Sequence, residues 1–260
     1  MPLRVLPRYI TAMTMLTASQ RLQAFANPTR FMALSGRLIA PLGWLTAVVM
    51  AVGLYFALLA SPPDYQQGET VRIMYIHVPS AWLSLFVYSV MAVASGVALV
   101  FRHPIADVCA KAAAPIGASF TFLALVTGSL WGEPMWGTWW VWDARLTSVL
   151  ILFFIYLGYM ALRATIDDPH AATRPAAVLA LVGFVNVPII HYSVNWWNTL
   201  HQPASVFRMS GPTIAPSMLV PLMTLAVGFT LFFIVMLLVR MRAEVLRRRV
   251  RAMSLRRAEG

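Results

Sequence analysis

Charge is scarce in this chain. Only 11% of its 260 residues are Asp, Glu, Lys or Arg, while 60% are hydrophobic. A soluble domain carries about a quarter charged residues, and the mean hydropathy here is +0.72. That balance excludes a water-soluble globular fold and predicts an all-α polytopic membrane protein. Cysteine is almost missing too. With Cys109 alone, the chain cannot form an internal disulfide, a CxxC redox pair or a thiolate metal cluster. No segment is long enough for a separate soluble domain, and no internal repeat points to a solenoid.

What remains is apolar and periodic. Six runs approach the roughly 20 residues that cross a bilayer: about 38–60, 82–101, 112–130, 147–162, 176–190 and 218–239. The fifth is short and holds Asn186 and Pro188, so it either extends to Val194 or kinks at the proline. The domain reading is an N-terminal arm over 1–37, a six-span membrane domain over 38–240, and a basic tail over 241–260. The N-terminal apolar run is short and broken, so residues 1–37 are expected to be a cytoplasmic extension and not a cleaved signal peptide.

The net charge of +11 is a matter of placement. With both termini cytoplasmic, seventeen of the twenty Lys and Arg fall on the inner side and only Arg72, Arg145 and Arg208 outside, as the positive-inside rule asks. The arginine-rich tail then reads as a cytosolic anchor; nucleic-acid binding is the lesser reading. As drawn, no span contains an ionisable residue, which disfavours a solute permease or proton pump. Distinctive chemistry is therefore expected in the outer loops.

One outer stretch dominates, WGEPMWGTWWVWDAR over 131–145, with five of the nine tryptophans: Trp131, Trp136, Trp139, Trp140 and Trp142. Indoles of this density suit either a membrane interface or a flat apolar ligand. A short helix would put Trp136, Trp139 and Trp140 on one face. Asp143 is placed to cap the fourth span, and Arg145 to snorkel. Trp196 and Trp197 read as interfacial belt ahead of ligand contacts.

Two outer histidines, His77 and His201, each begin a pentad H-x-P-[SA]-[AS], which makes them the natural pair. His191 lies nearer the hydrocarbon edge, and His103 and His170 read as solvated turn residues on the inner side. Neutral imidazoles from opposite sides are axial ligands of haem iron. The tryptophans would then supply the wall, and Arg72, Arg145 and Arg208 would meet propionates. A lone loop histidine is ordinarily a solvated residue, so a haem-independent scaffold subunit of an ABC transporter stands as the alternative.

WGxPMWGTWWVWDARLTS over 131–148, with DYQQG at 64–68, RIMYIHVPSAW at 72–82, APIGASFTFLALVTGSLWG at 114–132 and PIIHYSVNWWNTLHQ at 188–202, resembles the CcmC family. These are haem-handling WWD-domain proteins of the cytochrome c maturation system. The resemblance runs from about Leu34 to the end of span six and leaves the first thirty residues and the tail aside. It implies six spans and a WWD platform of Trp131, Trp136, Trp139, Trp140, Trp142 and Asp143, with His77 and His201 as axial ligands of haem b. Arg72 and Arg145 would sit beside the cofactor. It further implies a periplasmic site in the bacterial inner membrane and delivery to the haem chaperone CcmE. CcmD and the ABC transporter subunits CcmA and CcmB are the implied associates. The expected role is handling, not enzymatic, at most assisting covalent attachment of haem to the chaperone.

Overall fold

The computed structural model describes residues 26–202 and 205–259; the greater part of the expected N-terminal arm lies outside the described residues. Among the described residues, seven α-helices follow in chain order: α1 (Pro28–Tyr55), α2 (Met74–Phe101), α3 (Pro104–Trp136), α4 (Ala144–Thr165), α5 (Pro169–Gly183), α6 (Asn186–Trp196) and α7 (Pro216–Glu259). A wide π turn (Phe56–Ala60) extends α1, and a 3-10 turn (Glu69–Ile73) leads into α2. Four helix starts share one device, a side chain that accepts the first free amides. Asn27, His103 and Asp168 do so ahead of a proline, and Asp143 ahead of Ala144. Proline in the first turn costs nothing because its missing N–H would have no partner there.

Six segments are long and apolar enough to span a membrane, α5 and α6 jointly forming the fifth. The break in that fifth span falls between α5 and α6, ahead of Pro188. Pro188 itself rests in the first turn of α6, where a helix tolerates it. The spans are longer than their apolar runs, because caps and packing carry each helix past its hydrophobic stretch. That corrects the expectation of spans without ionisable residues: His77 lies in α2, Asp107 and Lys111 in α3, Arg145 and Arg163 in α4, and His191 in α6.

α2 is the axis of the bundle, packing on α3, α5 and α7, while α1 lies against α7. Tyr75, Tyr88, Tyr156, Tyr159 and Met91 are fully buried. Buried phenols need acceptors, and two find backbone: Tyr88 donates to the Ala180 carbonyl (3.1 Å) and Tyr156 to that of Ser84 (2.9 Å). Glycine makes the room, since a Cβ on Gly117 would lie 2.2 Å from the Tyr156 hydroxyl and one on Gly183 2.1 Å from that of Tyr88.

The end of the bundle formed by the start of α3, the end of α4 and the last part of α7 is ionic. Asp107 accepts from Arg163 and from Arg248 Nη2 (2.6 Å), and Glu244 accepts from Lys111 (2.8 Å) and Arg248 Nε (3.0 Å). Arg242 donates to the Met32 carbonyl (2.5 Å) and the Ser35 hydroxyl. The arginine-rich segment is thus more than a solvated anchor: α7 continues unbroken past residue 240, and its charges clamp α1 and α3, with Arg163 of α4 joining through Asp107. His103, expected to be a solvated turn residue, is buried and caps α3 through Nδ1 (3.1 Å to Ala106 N).

Candidate functional site

At the opposite end, the start of α2, the ends of α3 and α6 and the start of α4 meet two loops, 61–68 and 197–215. His77 stands in the first turn of α2, on a helix rather than in the loop expected for it. Its ring lies against α3. Thr127 Oγ1 is 3.1 Å from Nδ1, and a Cβ on Gly128 would come within 2.9 Å of Cε1. Trp131 crosses the imidazole edge-on at 5.8 Å between centroids, its Nε1 donating to Gln67 Oε1 (2.9 Å).

His201 arrives on the 197–215 loop, and its ring centre lies 6.4 Å from that of His77, the planes tilted by 34°. Trp136 flanks it at 6.2 Å. The loop is tied down by a hydrogen-bond chain. The His201 amide donates to Thr199 Oγ1 (3.1 Å), the Thr199 hydroxyl donates to Asp143 Oδ2, and Asp143 Oδ1 accepts from the Leu146 amide (2.7 Å). Asp143 therefore does cap α4, and with its second oxygen it also holds the histidine loop.

The Gln202 carbonyl faces His201 Nδ1 at 3.3 Å. A carbonyl only accepts, so Nδ1 carries the proton and Nε2 keeps its lone pair. Burial, then the charge of Arg145, holds the His201 imidazole below the ordinary histidine range. It is neutral at neutral pH, the form that ligates metal.

The tryptophans do not form the single helical face expected of them. α3 ends at Trp136 because Gly137 adopts a left-handed φ of 69° and closes the helix with an N–H to the Glu133 carbonyl (2.9 Å). Trp131 and Trp136 flank the histidines from the last turns of α3. Trp139, Trp140 and Trp142 follow on non-helical chain, Trp140 and Trp142 edge-to-face at 5.5 Å. Trp139 and Trp142 are 58% and 75% exposed. Trp140 Nε1 is buried with no acceptor among the described residues.

Of the three cations expected outside, Arg72, Arg145 and Arg208, Arg145 comes to the histidine end, donating Nε to Ser193 Oγ (3.0 Å) and Nη2 to the His191 carbonyl (3.4 Å). Arg72 is engaged with Glu69 (2.5 Å) and the Ala57 carbonyl (3.1 Å), and Arg208 is exposed. Sequence reasoning missed Thr127, Gly128 and Thr199. A signal existed for one of them: Gly128 and Gly132, four apart at the end of an apolar span, mark a close approach on one helix face.

Fold and site together define a six-span helical membrane protein with a paired-imidazole, tryptophan-flanked site at one end of its bundle. Residues 21–256 match the CcmC family, heme exporter protein C. The chain is 63% identical over 233 residues to heme exporter protein C of Bradyrhizobium diazoefficiens, covering 90% of this chain and 88% of that protein. It is 49% identical to the proteins of that name from Haemophilus influenzae (87% of this chain, 92% of the relative) and Escherichia coli (86% and 91%). The chain belongs to the heme exporter protein C family.

Proposed function

We propose that this protein is a multi-pass protein of the bacterial inner membrane that holds haem b between His77 and His201 at the periplasmic face. It delivers that haem to the chaperone CcmE for c-type cytochrome maturation, beside CcmD and the ABC transporter subunits CcmA and CcmB. Family membership carries the coarser role, haem handling for cytochrome c maturation within an ABC-type export system, a transport and handling task rather than an enzymatic one. The charge distribution supports both termini in the cytoplasm: the ionic end of the bundle gathers arginines, and the histidine end has few.

The observation that carries the ligand assignment is the separation of the two imidazoles. A metal–imidazole bond of about 2 Å, plus roughly 1.1 Å from ring nitrogen to ring centre, would put two in-line ligands of one ion about 6.2 Å apart between centroids. His77 and His201 stand 6.4 Å apart. Among the described residues no group of three or more His, Cys, Asp or Glu side chains gathers to hold a metal ion. Two imidazoles alone leave four positions of an octahedral ion, and a porphyrin brings those four with it.

The rest of the site suits the same cargo. Trp131 and Trp136 flank the histidine pair with apolar rings, Arg145 supplies a guanidinium for a propionate, and the Trp140 Nε1, without an acceptor among the described residues, is a free donor. Arg72, bound to Glu69, is the weaker propionate partner, and the exposure of Trp139 and Trp142 suits a contact with the chaperone.

Absorption spectra of the detergent-purified protein, oxidised and reduced, test this beside His77→Ala and His201→Ala. Haem bands that shift or vanish in both variants are expected. Wild-type protein that shows no haem bands even after haemin is supplied overturns the reading in favour of the haem-independent scaffold.

A further inference from the structure

We propose that Thr127 is a positioning residue that fixes the tautomer of His77 and aims its Nε2 lone pair toward the cargo; this rests on the ligand reading above. The hydroxyl of Thr127 has one proton. Its oxygen lies 2.6 Å from the Leu123 carbonyl and 3.4 Å from that of Ala124, both on its own helix. Carbonyls only accept, so that proton is committed to the Leu123 oxygen. His77 Nδ1, 3.1 Å from the same Oγ1, therefore meets a lone pair and must be the donor. In the neutral imidazole a protonated Nδ1 leaves Nε2 unprotonated. His77 thus presents the same nitrogen as His201, whose Nδ1 is turned to the Gln202 carbonyl.

The next residue makes the hydrogen bond geometrically possible. At Gly128 an added Cβ would lie 2.9 Å from His77 Cε1 and 3.4 Å from Nδ1. The imidazole accordingly rests on the bare backbone of α3, within reach of the preceding threonine. Trp131 crosses the ring four residues after Thr127. One helical stretch, Ala124 to Trp131, supplies the acceptors (the Thr127 hydroxyl and, beside it, the Ala124 carbonyl), the space and the flank. A ligand ring whose second nitrogen donates to a fixed acceptor is held against rotation and gains basicity at the coordinating nitrogen. Loss of such support typically costs about 10–100-fold in metal affinity.

Two readouts test the proposal. In the haem-free protein, 15N-histidine NMR with His77→Ala for assignment should show His77 protonated at Nδ1. Thr127→Val, which keeps the shape and removes the hydroxyl acceptor beside the Ala124 carbonyl, should weaken that preference, and Thr127→Ser should restore it. In haemin titrations Thr127→Val should bind roughly 10–100-fold more weakly, with the midpoint potential shifted to more positive values because a less basic ligand stabilises ferric iron less. Thr127→Ser should match the wild type in both. A Thr127→Val protein with wild-type tautomer, affinity and midpoint overturns the proposal. If that happens while His77→Ala abolishes the haem bands, only the role of Thr127 fails. If His77→Ala keeps wild-type bands, the ligand assignment itself fails.

Discussion

Asp143 performs two tasks with its two oxygens, and they can be separated. Oδ1 caps α4 through the Leu146 amide, and Oδ2 accepts the Thr199 hydroxyl that in turn receives the His201 amide. Asn is as good a cap as Asp, so Asp143→Asn preserves the start of α4 through its one oxygen, while an NH2 donor faces Thr199 Oγ1 in place of the charged acceptor. Hydrogen bonds to charged groups contribute about 1.5–3 kcal/mol and neutral ones about 1. The substitution should therefore loosen the loop by about 0.5–2 kcal/mol. If haem is gripped only when that loop is seated, its dissociation constant rises by about 2–30-fold. Thr199→Val cuts the same chain one bond further on and should cost a similar amount. Because the two act in series, the double variant should lose little more than the worse single. Asp143→Ala should add a fall in melting temperature worth about 1 kcal/mol for the lost cap. Haemin titration and thermal unfolding in detergent read all four proteins. Wild-type affinity in Asp143→Asn and Thr199→Val, or losses that add in the double variant, would refute the reasoning.

The depressed pKa of His201 has a pH consequence in the haem-free protein. Its unfolded imidazole titrates near about 6.5 and its folded one lower, so the unfolded state binds more protons between those values. The associated stability is intact above about pH 6.5 and is lost as pH falls through the window below it; melting temperatures from pH 7.5 to 5 should fall less steeply in His201→Gln than in wild type. At the ionic end, Arg163 keeps only 5% of its side chain exposed against Asp107. Asp107→Asn should cost about 3–5 kcal/mol by leaving buried cationic charge uncompensated. Asp107→Leu with Arg163→Met should recover much of that loss, with haem bands unchanged in both, as unfolding curves and spectra would show.

Six spans were legible because apolar length alone specifies them. Their ends were not, since an N-cap such as Asn27 or Asp168 extends a helix beyond its hydrophobic run, and a run says nothing of caps. The pairing of His77 with His201 was visible in two similar pentads, and Asp143 as a cap followed from its place before an apolar segment. The tryptophan face was misjudged because helical periodicity was assumed through Gly137, where the left-handed backbone ends the helix and sends Trp139, Trp140 and Trp142 elsewhere. Nor could local sequence show that Asp107 and Glu244, far apart in the chain, join one ionic cluster, because such contacts depend on which helices end up adjacent.

The two histidines are supported in different ways, and the difference bears on what each support controls. His77 is rooted in a helix and leans on a second one, with a side-chain hydrogen bond at its own ring nitrogen; nothing there moves without disturbing the packing of α2 on α3. Thr127 therefore acts on the character of the ligand, through tautomer, basicity and midpoint. His201 stands on a loop whose backbone is fastened to α4 by single hydrogen bonds in series. Asp143 and Thr199 act on how often that ligand is in place, and hence on retention more than on electronics. A protein that must both hold a haem and give it up needs one ligand that stays and one that can leave. A rigid helix facing a tethered loop provides that asymmetry without any moving helix.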